Sequence, residues 1–218
     1  KGDYVCFLDA DDYWEDRKLF EVNKAILNSS NCNIFCHWEY HQTNEKKKLV
    51  EYRQPNYDEP YLDMLFNGNC LSTSALAIKR DLLEAAKGFD ENLIMGEEDY
   101  DLWLRLVKSK GKVYMIEKPL GNWVIRNDSI SSKVIKHTDA VAKLIERHCN
   151  ELLEERKNDK QLKKRCSAAI AACYCSGGRT LSKNAERKKA KQYYKKSISI
   201  CPTYLKSYAG IILNGLHI

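Results

Sequence analysis

Val5-Cys6-Phe7-Leu8-Asp9-Ala10-Asp11-Asp12-Tyr13-Trp14 is the stretch on which the fold turns. Residues 4–8 form a short apolar run, which predicts a buried strand. The run ends in the carboxylates Asp9, Asp11 and Asp12. In open α/β sheets ligands bind outside the carboxyl ends of strands, so this edge is a candidate site. Like charges so close repel one another unless a cation joins them. Hard oxygen ligands suit Mg2+ or Mn2+, with phosphate oxygens completing the shell. The structural alternative is an Asp-rich turn that caps the next helix.

Working outward, the periodicity predicts a helix over 15–27, with Leu19, Val22, Ala25 and Ile26 on one side. A strand is expected over 33–40, with Ile34, Cys36, Trp38 and Tyr40 sharing a face. A polar turn at 44–48, a short helix at 58–66, a strand at 72–78 and a helix at 80–86 follow. Gly88-Phe89-Asp90 breaks the pattern before a strongly periodic helix over 97–109. Residues 113–116 and 120–125 read as two strands, and the chain is helical from about Val134. The order is therefore α/β first, then all-α. It implies one domain over 1–132 and a helical tail over 133–218.

The 218 residues suffice for one sizeable core and a small appendage. Hydrophobic residues make up 44%, which excludes a disordered chain. The net charge of +6 is uneven, with Lys and Arg concentrated after Lys133. A basic half fits an anionic partner, a membrane surface included, or simply a solvated helical face. Nine cysteines at irregular spacing do not form a disulfide framework, and a reducing cytosol is expected. No apolar run reaches the roughly 18 residues of a membrane span. Lys1-Gly2-Asp3 leads directly into a strand, so the chain is expected to begin inside a domain.

The tail carries a second pattern. With Pro202 as the thirty-second position of a helix–turn–helix repeat, Gly178 falls at the eighth, Ala190 at the twentieth and Tyr194 at the twenty-fourth. That is the signature of a tetratricopeptide-like unit near 171–204, with Leu181 where an aromatic is usual.

A second acidic cluster opens the periodic helix at Gly96-Glu97-Glu98-Asp99-Tyr100-Asp101. Acidic residues in a first turn are favoured by the helix dipole. A general base also needs a carboxylate held rigidly at the end of an element. One cluster for a metal and one for a base is a division of labour that capping alone does not require.

These segments together resemble the inverting enzymes of glycosyltransferase family 2. The first strand with Asp9-Ala10-Asp11 looks like that family's Asp-x-Asp motif. Asn69-Cys70-Leu71-Ser72-Thr73-Ser74 is similar to the intervening loop and strand. Gly88-Phe89-Asp90-Glu91-Asn92-Leu93 and Glu98 to Leu106 resemble the acceptor-side segment. The resemblance covers roughly residues 1–132 and implies a Rossmann-like GT-A fold lacking its first strands, followed by the all-α tail. It implies Asp11 as the main metal ligand, Asp9 on the ribose side of the donor, and Asp12 assisting at the metal. Asp99 would be the catalytic base with Glu98 beside it, and Trp103 and Arg105 would pack beneath the site. Arg126 falls where relatives carry a metal-binding His. A guanidinium cannot ligate a cation but can clamp a diphosphate. The implied reaction is transfer from a nucleotide diphosphate-sugar to a glycan or lipid-linked acceptor, with Mn2+ or Mg2+, at the cytoplasmic face of the membrane.

Other readings are weaker. Phe7-Leu8-Asp9-Ala10-Asp11 also resembles the opening of haloacid dehalogenase-type phosphatases, with Asp9 as nucleophile. A shortened relative whose tail binds a partner without catalysis is the non-enzyme alternative. Zinc at Cys32, Cys36, His37 and His41 is disfavoured because neighbouring strand residues face apart. The basic stretch Arg187–Lys191 lacks the aromatic ladder of a nucleic-acid binder.

Overall fold

The computed structural model describes residues 2–43, 45–125 and 133–216. They form two compact units: Lys1–Met64, Gly68–Asn92 and Glu98–Ser129 in one, and Leu65–Asn67, Leu93–Glu97 and Ile130–Ile218 in the other.

The first unit is built on a mixed six-stranded sheet. Its elements are β1 (Tyr4–Cys6), β2 (Tyr13–Trp14), α1 (Lys18–Asn28), β3 (Ile34–Gln42), β4 (Lys47–Val50), α2 (Pro60–Asn67, of which Leu65–Asn67 are counted with the second unit), β5 (Leu76–Lys79), α3 (Arg80–Ala85), α4 (Glu98–Lys108) and β6 (Val113–Val124). A single 3-10 turn, Thr73–Ala75, precedes β5. The strand order is β1-β5-β3-β6-β2, with β4 paired to β3. Of the pairs on that path, β3 and β6 run parallel and the others antiparallel.

This order explains the Asp-rich stretch. β1 and β2 lie at opposite ends of the path, so residues 7–12 must carry the chain between them. The first strand consequently stops at Cys6 rather than at Leu8. Tyr13 and Trp14, not expected as a strand, pair with Asn122 and Gly121.

Three further expectations change. The two strands foreseen at 113–116 and 120–125 are one, β6, which crosses Pro119 at an irregularity in its pairing with β3. Pro lacks the N–H that the ladder needs, so the register shifts there instead of the strand ending. Part of the foreseen polar turn at 44–48 is β4, which makes a hairpin with β3. The inner face of α1 is Lys18, Glu21, Val22 and Ala25, whereas Leu19 is 57% exposed. The stripe keeps helical spacing but is rotated, because the Lys18 ammonium finds partners inside. Val22 and Ala25 pack with Cys32, Phe35, Ala77, Ile116 and Leu120. β3 is buried on both faces from Ile34 to His37, not on one alone.

The second unit contains α5 (Val134–Glu155), α6 (Lys160–Lys183), α7 (Arg187–Ile200) and α8 (Leu205–Gly215). Asp159 caps α6 by accepting the Leu162 N–H at 2.8 Å. Its core gathers Ala142, Tyr174, Cys175, Leu181, Ala190, Tyr193 and Tyr194. Tyr194 is wedged between two helix glycines: a Cβ on Gly178 or Gly210 would lie 2.8 or 2.4 Å from its ring. Ala190 and Leu181 are fully buried, so the positions singled out by the repeat pattern are those where α6 and α7 meet. No helix of the described residues is long and apolar enough to cross a membrane.

Candidate active site

The Asp turn is closed by its own backbone, the Asp12 N–H donating to the Asp9 carbonyl at 3.1 Å. Ser74 holds it from below. Its Oγ accepts the Asp9 N–H at 3.0 Å and donates to Asp12 Oδ2 at 2.6 Å. The Val124 N–H, at the end of β6, donates to Asp12 Oδ1 at 2.9 Å. The turn is thus fastened to the approach of β5 on one side and to the end of β6 on the other.

Asp12 is the centre of this arrangement. It is 9% exposed and both its carboxylate oxygens are engaged by protein donors. Those two donors make it the carboxylate that fastens the turn to β6 and to the approach of β5. Burial raises it above the ordinary carboxylate range, against the lowering effect of those two hydrogen bonds.

Asp9 and Asp11 are exposed at the mouth of the turn. Partial burial raises Asp9 as well, and the charges of Asp12, Asp11 and Glu98 push it further. A carboxyl raised by its neighbours' charge is one that an added cation relieves. Among the described residues no three His, Cys, Asp or Glu side chains converge to hold a metal by themselves. Two exposed carboxylates fit Mg2+ or Mn2+, which retain water and take ligands from substrate phosphates rather than from an all-protein cage. They do not fit a structural zinc site, and Cys36 and His37 are adjacent strand residues that face apart.

The Glu98 charge adds to the upward push on Asp9, so the two carboxylates lie within electrostatic reach of one another. α4 presents Glu98 and Asp99 in its first turn. Thr73 Oγ1 donates to Asp99 Oδ2 at 3.3 Å. Thr73 and Ser74 are adjacent, so one 3-10 turn touches both clusters. Trp103 sits beneath, in an edge-to-face trio with Phe7 and Phe89 at centroid distances of 5.7 to 6.0 Å. The trio ties the end of β1 to α4. Arg105 pairs with Asp101 at 2.7 Å and donates to the carbonyls of Ala86 and Gly88. Trp103 and Arg105 therefore occupy the packing and pairing roles foreseen for them.

Arg126 lies outside the described residues, two positions beyond the end of β6. Sequence reasoning missed Thr73, Ser74 and Lys18. The signal for the first two was a Ser-Thr-Ser run directly before the apolar Ala75–Ile78. Behind the site, β3 buries His37 and Glu39 completely. Tyr52 donates to Glu39 Oε2 at 2.9 Å, while Glu39 Oε1 and His37 Nε2 have no hydrogen-bond partner among the described residues. Burial raises Glu39 and lowers His37 to about 3.

Comparison with known proteins agrees with this geometry. Residues 1–139 match the family described as glycosyltransferase like family 2. The amylovoran biosynthesis glycosyltransferase AmsB of Erwinia amylovora is 33% identical over 130 residues, covering 56% of this chain and 42% of AmsB. The uncharacterized glycosyltransferase MJ1057 of Methanocaldococcus jannaschii is 28% identical over 138 residues, covering 62% of this chain and 47% of that protein. The chain thus spans less than half the length of either relative. Among solved structures, S. aureus TarS 1–349 in complex with UDP-GlcNAc superposes with a TM-score of 0.59 at 16% identity, covering 98% of this chain and 66% of that one. That likeness shows a shared fold, an α/β glycosyltransferase architecture followed by helices. A family match over residues 1–139, with both acidic clusters gathered on one turn, places the chain in glycosyltransferase-like family 2.

Proposed function

We propose that this chain carries the metal-side and acceptor-side machinery of an inverting glycosyltransferase. The observation that carries the reading is the Thr73–Ser74 turn, which joins Asp99 to the Asp9–Asp12 loop. In the proposed reaction an acceptor hydroxyl attacks the anomeric carbon of a nucleotide diphosphate-sugar. The bond from that carbon to the diphosphate oxygen breaks as the new glycosidic bond forms, which inverts the centre. Asp99 takes the hydroxyl proton, oriented by Thr73. Asp9 holds the ribose side of the donor, Asp11 with Asp9 would hold the metal, and Arg126 would clamp the diphosphate. The metal, when bound, supplies charge neutralisation for the departing diphosphate. Glu98 adds negative potential beside the base.

AmsB is named for amylovoran biosynthesis, which favours a polysaccharide or lipid-linked acceptor for this chain as well. The last 32 residues carry seven Lys and Arg and no Asp or Glu, a charge that suits peripheral contact with an anionic membrane face from the cytoplasmic side. The phosphatase reading, which makes Asp9 a nucleophile, falls with the family assignment. Calorimetry of the full-length protein with uridine diphosphate, with and without Mn2+, tests the proposal. Uridine diphosphate is the first probe because TarS, which shares the fold, was captured with UDP-GlcNAc. Metal-dependent binding is expected. Failure of a uridine and guanosine diphosphate panel to bind with Mn2+ would overturn the reading.

A further inference from the structure

Lys18 is 1% exposed, at the first residue of α1. Its Nζ donates to the Ser74 carbonyl at 2.8 Å and lies 3.7 Å from the centre of the Trp14 ring. A buried ammonium is expensive unless it is paired. Here its closest partners are a carbonyl and an indole face rather than a carboxylate. An apolar side chain at this inward position of α1 would serve the core at lower cost. The lysine therefore does something other than fill space.

What it touches indicates what that is. Ser74 makes four hydrogen bonds to the ten-residue stretch Asp9–Lys18. Its carbonyl accepts from Trp14 Nε1 at 2.9 Å and from Lys18 Nζ, and its Oγ binds the Asp9 N–H and Asp12. The carbonyl is held from inside and the hydroxyl faces the Asp turn. A charge-assisted bond is about twice as strong as a neutral one, so Lys18 is the firmest of the carbonyl's two donors. Burial, neighbouring charges and the hydrogen bonds from Ser74 and the Val124 N–H displace Asp9 and Asp12 from ordinary carboxylate behaviour. The bonded path from Lys18 to the turn runs through Ser74.

We propose that Lys18 is a positioning residue for the donor diphosphate: by clamping Ser74 it fixes the Asp9–Asp12 turn in the shape that receives metal and diphosphate, an inference that rests on the glycosyltransferase reading above. The clamp explains a cation in the core and a turn whose supporting serine is bonded at both its carbonyl and its hydroxyl. It also gives Trp14 a second role, since its ring faces the ammonium while its N–H shares the same carbonyl.

A double-mutant cycle on the full-length protein tests it, with uridine diphosphate and Mg2+ as the probe. Lys18→Met keeps the length of the side chain and removes the donor. Lys18→Met and Ser74→Ala should each weaken metal-dependent affinity about tenfold, and the double variant about tenfold rather than a hundredfold, because both act on one linkage. A fully additive hundredfold loss means that Lys18 acts elsewhere and overturns the proposal. So does wild-type affinity in a folded Lys18→Met variant. Absence of metal-dependent binding in the wild type defeats the underlying reading together with the proposal, which separates the two failures.

Should Lys18→Met not fold, the wild type itself decides. Burial lowers the Lys18 amine to about 8, against the opposing pull of Cys6, Glu39 and Cys36. His37 faces it as well, lowered to about 3 by burial and by the Lys18 charge, while both thiols and the Glu39 carboxyl are pushed upward by burial. Between about pH 7 and about pH 9 the ammonium is lost and the bond to Ser74 becomes a neutral one, so affinity for uridine diphosphate with Mg2+ should fall several-fold. Affinity that stays flat across that interval overturns the proposal.

Discussion

The hydroxyl of Thr73 donates to Asp99 Oδ2 at 3.3 Å, while the next residue along the chain serves Asp9 and Asp12. Two acidic clusters nearly ninety positions apart are thus tied to one short turn. The consequence is that the orientation of Asp99, the proposed base, is coupled to the loop proposed to hold the metal.

Asp99→Asn keeps size and most hydrogen bonding but cannot accept a proton. General-base catalysis is typically worth about 100- to 10,000-fold, so kcat should fall by that order while donor affinity stays within a few-fold. Thr73→Val removes only the orienting bond and should cost about tenfold or less in kcat. Asp90→Asn, in the turn before α4, is the control and should turn over normally. Wild-type turnover in Asp99→Asn would move the base to Glu98.

Asp11→Ala should abolish Mn2+-dependent binding of uridine diphosphate, whereas Asp12→Asn should mainly lower stability. The contrast follows from geometry: Asp11 is exposed at the mouth of the turn, and Asp12 has both oxygens occupied. Calorimetry and melting on the same samples separate the two effects. Metal binding lost in Asp12→Asn at unchanged melting temperature would make Asp12 a ligand as well.

Asp9 and Asp12 are raised in the folded state, so their contribution to stability is present below the ordinary carboxylate value and is lost as pH rises through the raised one. At neutral pH the turn is therefore under electrostatic strain. Mn2+ should raise the melting temperature at pH 7 and have little effect near pH 4. An equal shift at both values would mean that the ion binds elsewhere.

His37 titrates in the opposite sense. Its folded value of about 3 lies below the ordinary 6.5, so the stability it contributes is complete above 6.5 and is lost as pH falls toward 3. Denaturation followed from pH 7 to pH 4 should show a decline that His37→Gln flattens. Identical slopes in the two proteins would remove His37 from the acid response.

In the helical tail, Gly210→Ala should be destabilising by about 1–3 kcal/mol, because a Cβ there would meet the Tyr194 ring. The sign is informative. At an open helix position the same change stabilises by about 1 kcal/mol. Ala190→Leu, at a fully buried contact of α7, should cost a similar amount. A melting temperature equal to or above wild type in both variants would argue against the tight crossing.

Much of this was legible because the signals are local. An apolar run ending in carboxylates, a periodic helix opened by acids and a small–small–aromatic spacing each follow from side-chain chemistry over fewer than about twenty residues. Those patterns located β1, α4 and the α6–α7 pair, and they singled out Asp9, Asp11, Glu98 and Asp99 as candidates before any coordinate. Pairing was beyond their reach. That β1 and β2 lie at opposite ends of the sheet path, that β6 is one strand across Pro119, and that Lys18 rather than Leu19 turns inward all depend on contacts between residues distant in the chain. Asp12 is the clearest case. By sequence it is equivalent to Asp9 and Asp11, since all three are carboxylates on one short turn. Only the folded chain brings Ser74 and the Val124 N–H onto its two oxygens, and those two donors make Asp12 the carboxylate that fastens the turn.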